Sequence, residues 1–199
     1  MSEIREPKQK RSIETKEIIA KAGFKLFCEK GYHGTNTIEI SKYAGVSTGA
    51  VYSYFKDKRD IYIAAFDQYI GSFSNLLFEK LKSLQQPLDL SVFVDEWIAF
   101  YIDLFGTSEQ ALARLRIMML EDEDINRHFC NFENAYALKI TEILIHNGVI
   151  SDNSLEKVFA CCTLVDALSR EKSVYPHEQL NFDVLKCQIK KAILILLST

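Results

Sequence analysis

Helix-breaking residues are scarce in this sequence: 3 prolines and 8 glycines in 199 residues, against 48% hydrophobic residues. That balance suits an all-α globular chain with a full core. No apolar run reaches the roughly 20 residues a membrane span needs. The N-terminus is charged and lacks an apolar signal core, so nothing points to export and the expected location is the cytoplasm. The 5 cysteines are odd in number and form no C-x-x-C pair. Buried free thiols in a reducing compartment are the preferred reading, with a redox-sensing thiol as the alternative. The four histidines (His33, His128, His146, His177) show no helical pairing, and no metal or cofactor is expected. A Gly-rich phosphate loop, a G-x-S-x-G and an H-E-x-x-H are all missing, which removes the usual marks of an enzyme. The acids Glu96, Glu142 and Asp166 lack visible catalytic partners, and i, i+4 pairing or solvent exposure explains them.

What is present is a compact pattern between Thr37 and Phe55. Thr37 to Ala44 reads as a short helix with Ile40 and Ala44 as an i, i+4 pair and Ile38 beside the alkyl part of Lys42. Asn36 or Thr37 can cap it. Gly45 follows where a helix end favours positive φ. Ser47 can cap a second helix, Thr48 to Phe55. Val46, Val51 and Phe55 mark its inner side, with Ser47 on the same side. Gly49 and Ser53 lie on the outer one, with Ala50 and Tyr52 at its edges, and Thr48, Gly49, Tyr52 and Ser53 are the candidates for the major groove. Two short helices about a Gly-containing turn form the helix-turn-helix pattern, whose second helix enters the DNA major groove. An ordinary helical hairpin within a core is the competing reading. Gly49 costs about 1 kcal/mol against alanine inside a helix, and close approach to another surface is one reason to keep it.

The net charge of −3 hides an asymmetry. Residues 1–60 hold about half of the 24 Lys and Arg but fewer than a third of the 27 Asp and Glu. Phosphate contacts respond to such local charge rather than to the whole-chain balance.

The run from Gly31 through Lys58, with Ile19, Ala22, Gly23, Leu26 and Phe27 before it, resembles the N-terminal domain of the tetracycline-repressor-like (TetR) family of bacterial transcription regulators. The resemblance covers about 12–66; beyond it rests on length and helical character. Ser41 departs from the alanine usual in that family, and Asn36 from the usual Thr or Ser. The resemblance implies that Thr37, Ser47, Tyr52, Tyr54 and Lys58 hold DNA phosphates. It also implies a homodimer on a palindromic operator, a small-molecule effector pocket among the C-terminal helices, and action as a repressor.

Residues 1–11, with Arg5, Lys8, Lys10 and Arg11, form a basic tail that is either simply solvated or an arm for DNA phosphates or the minor groove. The DNA-binding domain is expected over 12–57, its first helix running from Ser12, capped there or at Thr15, to Lys30. Asp57 caps a third long helix from Lys58 to near Pro87, whose first turn belongs functionally with the DNA-binding domain. Residues 58–199 are expected to form the effector-binding and dimerisation domain. Further helices span Leu90–Phe105, Ala111–Leu120 (capped by Ser108), Asp124 or Ile125 to Asn147, Ser154–Glu171, and Phe182–Leu197 after a loop at Tyr175-Pro176-His177. Glu121 to Asp124 reads as a solvated acidic turn.

Trp97, Tyr101, Met118 and Tyr136 stand out in an aromatic and methionine-rich stretch. Core packing explains any one of them. Together they suit a largely apolar effector, which the family resemblance leads one to seek there. The last helix is apolar over much of its circumference, so it is either central to the core or half of a dimer interface. The resemblance favours a four-helix bundle made by two helices from each chain. A DNA-bound adaptor that recruits a protein partner, with no small-molecule effector, is the alternative function.

Overall fold

The computed structural model describes residues 10–107, 109–150, 154–173 and 176–198, with the backbone alone at 104–107, 109, 110, 112 and 173. Most of the basic tail, the Ser108 cap and Tyr175 therefore lie outside what is described. Among the described residues there are nine helices and no strand. They are α1 (Lys10–Lys30), α2 (Thr37–Ala44), α3 (Thr48–Tyr54), α4 (Lys58–Lys82), α5 (Leu90–Thr107), α6 (Glu109–Glu121), α7 (Glu123–His146), α8 (Leu155–Ser173) and α9 (Phe182–Ser198).

Most helix ends follow from local chemistry. Asp57, Asp89, Asp122 and Asn181 each accept a backbone N–H from the first turn that follows them, at 2.8 to 3.1 Å. An acceptor there satisfies one of the N–H groups a helix start leaves unpaired. Two expected ends are corrected. Helix α1 already includes Lys10, so neither Ser12 nor Thr15 caps it; the Thr15 hydroxyl instead donates to the Arg11 carbonyl inside the helix, at 2.8 Å. Helix α4 stops at Lys82, short of Pro87.

The chain divides into two compact units. The first comprises the residues up to Ser72 together with Ala113–His128, and the second comprises Phe73–Leu112 with the residues from Phe129 onward. In the first unit, Ile19, Leu26 and Phe27 of α1 are buried with Ile40, Val51, Phe55, Ile61, Tyr62 and Phe66. The rings of Phe27, Tyr32, Tyr62 and Phe66 meet in edge-on or tilted contacts with centroids 4.5 to 5.3 Å apart where Tyr62 takes part. In the second unit, α5 packs on α8 and α9, around Phe93, Val94, Trp97, Ile98, Val158, Val165, Leu168, Ile189 and Ile193. Helix α9 buries Ile189, Ile193 and Leu197 along one side, while Val184 and Ile195 on its other flank are 56% and 65% exposed.

Candidate nucleic-acid interface

The α2–α3 pair is held by its own sequence. The Asn36 side chain accepts from Glu39 N at 2.9 Å, which settles the choice between the two possible caps. Gly45 takes φ +68°, and the N–H groups of Gly45 and Val46 return to the carbonyls of Lys42 and Ser41 at 3.2 and 3.0 Å. These bonds satisfy carbonyls that the end of α2 would otherwise leave open. Ser47 Oγ then accepts from Ala50 N at 3.1 Å and starts α3. Val51 and Phe55 face inward, 0% and 2% exposed. Phe55 itself closes α3 from an extended backbone rather than extending the helix.

Gly49, Tyr52 and Ser53 are exposed and Thr48 is half-buried, so α3 turns a small, uncharged surface to solvent. Ser47 is also exposed, although helical spacing puts it with the inner side chains. Two hydroxyl pairs join the helices: Thr37 Oγ1 lies 3.0 Å from Tyr52 Oη, and Ser41 Oγ lies 3.2 Å from Thr48 Oγ1. Tyr54 is half-buried. Lys58 stands at the N-terminus of α4, where its ammonium donates to the carbonyls of Tyr32 and Thr35 at 2.8 and 2.9 Å and sits 4.1 Å from the Tyr32 ring centroid. Burial draws its pKa below the usual lysine range. Two of its three N–H donors are thus taken by the chain, and one remains. Thr35, 2% exposed, anchors the same turn by donating to the Gly31 carbonyl at 2.8 Å.

Sequence reasoning missed a second set of contacts. Arg59 is ion-paired with Asp122 and Asp124 at 2.8 and 2.6 Å, and His33 Nε2 lies 2.7 Å from the Glu121 carboxylate. The expected solvated acidic turn is therefore an ion-paired corner, with the Asp122 side chain 15% exposed and capping α7 as well. The Tyr62 hydroxyl donates to the Arg114 carbonyl at 3.2 Å. These contacts tie 114–124 to the helices around the turn. Their partners are some 50 to 90 residues apart, beyond any local pattern.

Of the proposed pocket residues, Trp97, Tyr101 and Tyr136 come together in the second unit, whereas Met118 belongs to the first. Trp97 Nε1 donates to Tyr136 Oη at 2.9 Å, with both side chains buried, and the Tyr101 ring centroid lies 6.2 Å from that of Tyr136. Burial raises the Tyr136 hydroxyl pKa well above its ordinary value. Elsewhere in that unit, Lys82, Gln86, Lys139, Glu142, Ile143 and His146 line a groove of about 840 Å³. Among the described residues no group of acids, histidines and cysteines is arranged to hold a metal ion. Nor is any described helix long and apolar enough to cross a membrane.

Comparison with known proteins agrees with this geometry. Residues 19–65 match the family described as bacterial regulatory proteins, tetR family. The fatty acid metabolism regulator protein of Bacillus subtilis is 39% identical over 64 residues, which is 32% of this chain and 33% of the relative. The chain aligns with only a quarter to a third of the length of such curated relatives. A TetR-family regulator structure from Syntrophomonas wolfei superposes with TM-score 0.71 at 19% identity, covering 94% of this chain and 96% of the other. The fatty acid degradation regulator FadR of Bacillus halodurans does so with TM-score 0.65 at 17% identity, covering 95% and 97%.

Proposed function

This chain belongs to the TetR family of bacterial regulatory proteins, and from that premise we propose that it is a homodimeric repressor released from a palindromic operator by a small molecule. The observation that carries the DNA-binding part is the α2–α3 pair, with both helices capped, a left-handed Gly45 between them, and an uncharged outer face of small side chains. Thr48, Gly49, Tyr52 and Ser53 would face the base edges, while Thr37, Ser47, Tyr52, Tyr54 and Lys58 would hold phosphates. Phosphate contacts set position and affinity, and base contacts set sequence choice. The free donor of Lys58 beside the positive end of α4 is suited to a phosphate oxygen.

The exposed apolar side chains Phe159 of α8 and Val184 and Ile195 of α9 support dimerisation through those helices. A two-fold dimer matches a palindromic site with half-sites about 34–36 Å apart or more. The buried Trp97 and Tyr136, with the half-buried Tyr101 ring beside them, support an apolar effector in the second unit. An effector acts only through different affinities for the DNA-competent and DNA-incompetent states.

The test is binding of the purified chain to a fluorescent duplex from its own upstream DNA, titrated against salt. A dimer-sized, competitor-resistant complex with a steep salt dependence is expected. Binding that any DNA competes away equally would count against sequence-specific regulation. Lys58→Ala is expected to weaken binding to every duplex and to lower the salt slope by about one. Because its ammonium also bonds two carbonyls, the same change should cost about 1–2 kcal/mol of stability, read by denaturant titration. An unchanged salt slope would remove Lys58 from the phosphate contacts.

A further inference from the structure

The hydroxyl protons at the α2–α3 turn are committed in a way that limits what Thr48 can offer a base. Ser41 is 2% exposed and its Oγ has two neighbours: the Ile38 carbonyl oxygen at 2.8 Å and Thr48 Oγ1 at 3.2 Å. A serine hydroxyl has one proton. The carbonyl can only accept, and it makes the shorter bond, so the proton goes to Ile38. Toward Thr48, Ser41 can then only accept, and the Thr48 proton must point back to Ser41. What Thr48 has left for any outside group is lone pairs. Thr48 is half-buried at the first position of α3, so part of its side chain stays open to a ligand. The other hydroxyl pair, Thr37 with Tyr52, has no such buried third partner to orient it, and either oxygen can donate.

In the major groove, guanine offers the acceptors N7 and O6, and thymine offers O4. Adenine and cytosine carry the amino donors N6 and N4. An acceptor-only hydroxyl pairs with the latter two and repels the former. We propose that Ser41 is a positioning residue that holds Thr48 as a hydrogen-bond acceptor, so that each half-site carries adenine or cytosine at the base Thr48 faces. The inference rests on α3 being the recognition helix. It adds a polarity to that helix, set from α2 by a side chain that touches no DNA.

Selection of binding sites from randomised duplexes by the full chain tests this, using the wild type, Thr48→Val, Thr48→Ser and Ser41→Ala. Thr48→Val keeps the shape and removes the hydroxyl, so the position whose preference it erases is the one Thr48 reads. The wild type and Thr48→Ser are expected to select adenine or cytosine there. Alanine is the residue usual at position 41 in the family, so Ser41→Ala should fold, which an unshifted Tm checks. It frees the Thr48 proton and should admit guanine and thymine at that one position, reducing the preference by about five- to tenfold. A purely structural role for Ser41 would lower affinity for all sites alike. The proposal is overturned if Ser41→Ala keeps the wild-type preference, if the wild type selects guanine or thymine there, or if Thr48→Val alters no position. A wild type that selects no motif at all would instead remove the regulator reading, and this inference with it.

Discussion

Gly49→Ala is expected to make the protein more stable and a poorer DNA binder at once. A methyl group built on Gly49 would meet nothing closer than Ser47 Oγ at 3.9 Å, an ordinary contact. The glycine backbone is not in the left-handed region, so alanine fits its conformation. Alanine in an exposed helix stabilises by about 0.5–1 kcal/mol relative to glycine, mainly by restricting the unfolded chain, which corresponds to a Tm rise of about 2 °C. The same methyl would stand between α3 and the base edges if α3 lies in the major groove. Crowding a close-packed contact by one carbon costs about 1–3 kcal/mol, or a tenfold to hundredfold loss in affinity. Thermal melts and DNA titrations on one preparation read both effects. A stabilised variant that binds as tightly as the wild type would mean that Gly49 faces open solvent and that another face of α3 meets DNA.

The second large effect concerns the core of the other unit. Trp97 is fully buried, and Trp97→Ala should cost about 3–5 kcal/mol through lost burial and the cavity left behind. The companion Tyr136→Phe removes a single oxygen and little volume. It leaves Trp97 Nε1–H, now 2.9 Å from Tyr136 Oη, without that acceptor in a buried site. The expected cost is about 1–3 kcal/mol, from an unpaired buried donor rather than from packing. Denaturant titration of both variants separates the two contributions. A neutral Tyr136→Phe would show that the site reaches water or a second acceptor, and would make it polar enough to take a ligand with a hydrogen-bonding group.

The parts of this fold that were legible in the sequence are those whose causes are local. Asn36, Gly45, Ser47 and Asp57 act within a few residues of where they stand, and α2 runs over the residues that sequence periodicity assigned to it. The solvent-facing side of α3, with Gly49, Tyr52 and Ser53, could likewise be named from helical spacing, because Val51 and Phe55 declare the buried side. Long-range contacts left no such trace. Arg59 and the acidic run each look solvated in isolation, and only the fold brings them within 3 Å. Nothing in the 113–128 segment marks it as part of the first unit, because amphipathic spacing says that a face is buried and not against what. The family resemblance implies a phosphate contact for Lys58, while its bonds to Tyr32 and Thr35 depend on how the turn after α1 closes. The apolar circumference of α9 is a similar case. Ile189, Ile193 and Leu197 are accounted for by the core of the second unit, whereas Val184 and Ile195 are exposed.

Dimethyl sulfate probing of the bound duplex tests the central claim most directly, since it methylates guanine N7 in the major groove and adenine N3 in the minor groove. With α3 as the recognition helix, the chain should protect guanine N7 in two symmetric half-sites about one helical turn or more apart. Adenine N3 between them should stay reactive. Protection confined to adenine N3, or no N7 protection on a duplex the protein demonstrably binds, would contradict the placement of Thr48, Gly49, Tyr52 and Ser53 at the major groove.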